Sequence, residues 1–105
     1  MSEYKQLRRV NAKVESFPNG DSILTSYATI VAAHIDGQYY VTPNWDCSVT
    51  TISHVRAYFE DYLSWLLYAD SIRRDIRTGM IKVIGPHEIL LRSYNSNQEY
   101  ARFVL

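Results

Sequence analysis

A single cysteine, Cys47, rules out an internal disulfide, which suits a reducing compartment. No apolar run reaches the roughly 18 residues that a membrane-spanning helix needs. No charged and then apolar leader follows Met1, so the expected setting is a cytoplasm, with no membrane partner. Repeats, low-complexity tracts and linkers are missing, so the 105 residues are expected to form a single domain, 1–105. Net charge is zero, which counts against a nucleic-acid-binding protein as the first reading. The three histidines, His34, His54 and His87, lie far apart with no ligand-pair spacing, so neither a metal nor a cofactor is expected.

What is present is more telling. Hydrophobic residues make up 47% of the chain, enough for one core without staples. Nine tyrosines and two tryptophans suit either a core or an interface, because each carries an apolar body and a polar tip. Charge is unevenly spread. Residues 15–70 hold seven acids against Arg56 alone, while both flanking segments are basic. Either the segments neutralise one another in the fold, or they form opposite faces that steer a charged partner.

Alternation of Val10, Ala12 and Val14 with polar residues reads as a strand, and Asn19-Gly20 as a hairpin turn. Ser22 to Ile35 reads as one long strand, Asp36-Gly37 as a second turn, and Gln38 to Thr42 as a third strand stopped by Pro43. From Val49 the period changes to three and four. Ile52, Phe59, Leu63 and Leu66 then mark a helix face, with Asp70-Ser71 as a possible division into two helices. Residues 80–84, 89–94 and 99–104 read as extended. The expected class is α+β: an N-terminal antiparallel three-stranded meander, one or two central helices packed on it, and C-terminal antiparallel strands.

The densest cluster of reactive types is Cys47-Ser48-Val49-Thr50-Thr51-Ile52-Ser53-His54-Val55. Hydroxyls here are expected of a helix start, with Ser48 as the cap or Thr50 or Thr51 in its place. Cys47 and His54 are two helical turns apart, too far for a nucleophile and its base. Cys47 is therefore expected to be a small buried thiol, and no catalytic residues are expected. On the helix side opposite the apolar stripe lie His54, Tyr58, Asp61, Trp65 and Tyr68. Either further elements cover this second stripe, or Tyr58, Asp61, Trp65 and Tyr68 form a partner-binding surface. Arg73, Arg74 and Arg77 match the dipole at a helix C-terminus. If Arg8, Arg9 and Lys13 lay alongside, the six cations would serve nucleic-acid binding instead.

Ser26 to Ala32, S-Y-A-T-I-V-A, followed by a hairpin and Ser48 to Val55, S-V-T-T-I-S-H-V, resembles a family of small bacteriophage and prophage proteins, a domain of unknown function. Its pattern is S-Y-x-T-x-V-A, then S-x-T-T-x-x-H-[IV]. The matching positions are Tyr27, Thr29, Val31, Ala32, Ser48, Thr50, Thr51 and His54. Cys47 departs from the pattern, which places an aromatic before the serine. The resemblance implies phage origin and no known catalytic role. The mechanical reading is that His54 locks the helix to the long hairpin through contacts near Tyr27 and Thr29. The functional expectation is a non-enzymatic protein that binds a host protein or complex in the host cytoplasm. Inhibition of a bacterial defence system, such as a CRISPR effector or restriction enzyme, is the leading subtype. A homodimer and a nucleic-acid-binding accessory role are the alternatives.

Overall fold

In the computed structural model, residues 3–6, 11–63 and 69–104 are described. One six-stranded sheet runs β1 (Glu3–Gln6), β2 (Ala12–Ser16), β3 (Ser22–Ser26), β4 (Thr29–Ile35), β5 (Gln38–Val41) and β6 (Ile81–Val83), in chain order across the sheet. The first five strands pair antiparallel as a meander, while β6 pairs parallel to β5. A parallel neighbour requires a crossover. It is supplied by α1 (Val49–Ala57), a π-helical segment (Tyr58–Tyr62) and α2 (Ala69–Thr78). Helix α3 (Pro86–Val104) follows β6.

The α+β class holds, and three particulars of it change. The expected single strand from Ser22 to Ile35 is two, folded at Tyr27-Ala28, so the meander has more than three strands. Neither turn residue is glycine or asparagine, yet Tyr27 adopts φ 56°, in the left-handed region. Its amide donates to Asn11 O at 2.7 Å, which ties the turn to the start of β2. A bulky residue in that region costs on the order of 1 kcal/mol. Tyr27→Gly is therefore expected to leave the melting temperature unchanged or raise it by a few degrees; a clear drop would show that the ring contributes more than the strain costs.

Second, the C-terminal antiparallel strands are replaced by one short parallel strand and a long helix. Pro86 opens α3, where its fixed φ suits a first turn, and Glu88 and Arg92 pair at 3.5 Å one turn apart. The face that α3 turns to the sheet holds Ile89 and Ser93, too polar to show a hydrophobic period.

Third, pairing shifts register between Leu24 and Thr25, so β4 carries an extra residue. Val31 and Ala32 consequently both enter the same core, and Ile30 moves to the opposite side. Helices cover both faces of the sheet. Val14, Leu24, Ala32 and Val41 pack under Val55, Tyr58, Phe59 and Ile72 from the crossover. Ile23, Ala33, Ile35 and Tyr40 pack under Ile89 of α3.

Candidate functional site

Ser48 begins α1 as expected. Its backbone is extended, and its Oγ accepts from the Thr51 amide at 3.1 Å, satisfying one orphan donor of the first turn. Thr51 is buried and lies 3.0 Å from Ser48 Oγ, whereas Thr50 and Thr29 are exposed. Cys47 is exposed rather than buried, with its Sγ 3.4 Å from Thr51 Oγ1. It lies just ahead of the helix cap, Ser48.

The buried face of α1 is polar at its centre. His54 is fully buried, and its Nδ1 shares a 2.7 Å hydrogen bond with Ser26 Oγ. The Tyr27 ring lies tilted against the imidazole at 5.9 Å, itself 60% exposed. One turn further, Tyr58 Oη sits 2.6 Å from Ser22 Oγ and donates to Ser22 O at 3.3 Å. Burial pushes the Tyr58 phenol well above the ordinary tyrosine value, only partly offset by the Ser22 hydrogen bond. Its ring stacks on Tyr62 at 5.7 Å.

This removes Tyr58 from the expected partner surface. Tyr58 belongs to the core, because Ser22 and Ser26 supply polar partners that allow tyrosine and histidine to be buried. The buried face therefore runs through Thr51, His54, Val55, Tyr58 and Phe59 rather than centring on Ile52, which is half-buried. The expected lock between helix and hairpin is present, made by the Ser26 side chain with the Tyr27 ring beside it, while Thr29 is exposed. Of the other stripe residues, Trp65 and Tyr68 lie outside the described residues, as does the Asp61 side chain.

Residues 2–74 match a family of unknown function, DUF8033. The chain belongs to that family. The DUF8033 segment spans β1 to β5, α1, the π-helical segment and half of α2, and includes both Ser26 and His54. Helix α3 and β6 lie outside the match. No curated protein and no solved structure matches the chain.

Among the described residues, the cations of the nucleic-acid reading do not converge. Arg8 and Arg9 lie outside the described residues. Lys13 alternates with the buried Ala12 and Val14, so it points to the sheet face away from the crossover helices. Arg73, Arg74 and Arg77 are on α2, on the crossover side. Arg73 is drawn to Asp46 at 3.8 Å and lies over the Trp45 ring at 5.5 Å, and Arg74 is 3.6 Å from Asp75. Among the described residues no group of three or more His, Cys, Asp or Glu could hold a metal ion, and no helix is long and apolar enough to cross a membrane.

Sequence reasoning missed the outer face of α3. Leu90, Leu91 and Tyr94 are 49%, 51% and 62% exposed, on adjacent turns of one helix. Gln98 Nε2 donates to Tyr94 Oη at 2.6 Å, which steadies the ring. The signals that would have found this helix are Pro86 and the Glu88–Arg92 spacing, features of a helix start rather than of a turn and a strand.

Proposed function

We propose that this chain is a non-enzymatic, phage-encoded module that binds a host protein in the host cytoplasm. A protein of a bacterial defence system, a CRISPR effector or a restriction enzyme, is the leading partner class. The observation that carries the binding reading is the Leu90, Leu91 and Tyr94 surface on α3. Single exposed apolar residues are ordinary, but three large ones on adjacent turns form a continuous patch of the kind that partners cover. A steadied tyrosine beside leucines provides a low-entropy anchor. The non-enzymatic reading is supported by where the buried hydroxyls and imidazole go. Ser22 bonds Tyr58 and Ser26 bonds His54, two separate pairs across the helix–sheet junction. Phage origin rests on the S-Y-x-T-x-V-A and S-x-T-T-x-x-H-[IV] resemblance.

The test is affinity purification from host lysate, followed by titration of the purified partner. Leu91→Ala and Tyr94→Ala are each expected to weaken binding about tenfold, the loss typical of a central interface residue. Both side chains are about half exposed, so the melting temperature is expected to move by no more than a few degrees. Full affinity in the double variant would remove α3 as the binding surface.

A further inference from the structure

On the α3 side of the sheet, a cavity of about 360 Å³ opens between the β4–β5 turn, β6 and α3. Its walls include Asp36, Tyr40, Lys82, Arg92, Asn95 and Ser96. The register explains the two cations. Lys82 pairs with Tyr40 across the parallel join, so both side chains leave the same face of the sheet. Arg92 reaches the same point from above. Its guanidinium stands over the Tyr40 ring at 5.5 Å, and its Nη1 donates to Tyr40 Oη at 3.4 Å. Glu88 holds the other end of the fork at 3.5 Å, which fixes the direction of the guanidinium.

Lys82 has no ion-pair partner among the described residues, and Asp36 is the one acid on the cavity wall. Glu88 offsets Arg92 at 3.5 Å, so the Lys82 ammonium is the charge left to meet a ligand. Asn95 and Ser96 add neutral hydrogen-bonding groups on the α3 wall. Such a mixture, with a guanidinium already oriented, suits the oxygens of an anion. The volume lies within the roughly 300–1,000 Å³ range of small-molecule sites, which favours an organic anion over a bare inorganic one.

We infer that this cleft binds a small organic anion bearing a phosphate or a carboxylate, gripped between Lys82 and Arg92 over Tyr40. The site is separate from the proposed protein-binding surface and does not rest on it. Isotope-labelled protein titrated with a nucleoside monophosphate in one arm and citrate in the other tests it by amide shifts. Saturable shifts at Lys82, Arg92 and Asn95 are expected for at least one probe, with Kd below about 1 mM. The arm that saturates distinguishes phosphate from carboxylate. Lys82→Ala is expected to weaken binding about tenfold and Lys82→Glu to abolish it, both without unfolding, because the side chain is exposed. The Leu91→Ala, Tyr94→Ala double variant is expected to bind the probe normally. No saturable shift from either probe up to about 10 mM, or equal affinity in Lys82→Glu, would overturn the inference.

Discussion

Tyr58→Ala is expected to cost about 4 kcal/mol, the range for emptying a large aromatic site in a closed core. Stability of a chain this size lies near 5–15 kcal/mol, so the variant would be at or near the edge of folding. The ring is fully buried between the sheet and the π-helical segment, against Phe59 and Tyr62. Tyr58→Phe separates ring from hydroxyl. It keeps the volume but strips Ser22 Oγ of its 2.6 Å partner, at a cost of about 1–2 kcal/mol. Urea unfolding of the three proteins measures both. Near-equal stability of the alanine variant and the native chain would show that the core closes over the gap.

The same residue gives the alkaline limb a definite sign. Burial raises the Tyr58 phenol in the folded state, so the unfolded chain ionises first as pH rises. The stabilisation is therefore complete below the ordinary tyrosine value near 10 and is lost as pH climbs above it. In Tyr58→Phe this contribution to the alkaline loss is expected to vanish, and identical alkaline slopes for the two proteins would argue against the buried phenol as its source.

His54→Ala is the second large effect, at about 3 kcal/mol and roughly a 15 °C fall in melting temperature. Two terms combine. A fully buried ring leaves a cavity, and Ser26 Oγ is left without its 2.7 Å partner inside the core. Ser26→Ala alone removes the smaller group and is expected to cost about 1–2 kcal/mol. The double variant should cost less than the sum of the two, since each change already breaks the same bond. Strict additivity in thermal unfolding would mean that the bond carries no coupling energy.

These two residues also show what could be read from the chain alone. The turns at Asn19-Gly20 and Asp36-Gly37, and the Ser48 cap, announce themselves because their chemistry is local. So does the shift of period at Val49. The Tyr27-Ala28 turn carries no such residue types, since it is held by Asn11 from another strand. The phase of the helix differs from its hydrophobic stripe for a related reason. A hydrophobic stripe assigns His54 and Tyr58 to the outside, and the serines of β3 make their burial tolerable. Helix α3 was hidden because Ser93, a buried polar residue, stands where a periodic apolar one was sought. Both candidate ligand surfaces depend on α3. The helix–sheet lock is therefore legible in the sequence, and neither surface is.

The parallel join of β5 to β6 has a kinetic side. Strands β1 to β5 each meet a neighbour reached through a short connection, so the meander can form by successive local closures. Tyr39 meets Ile81 only after the whole crossover has been gathered in. Closing that long loop carries the largest entropy cost of any strand pairing here, and long-range contacts of this kind form late. Lys82 arrives with β6, so the anion cleft is completed among the last steps of folding, after the Ser26–His54 junction has a sheet to stand on.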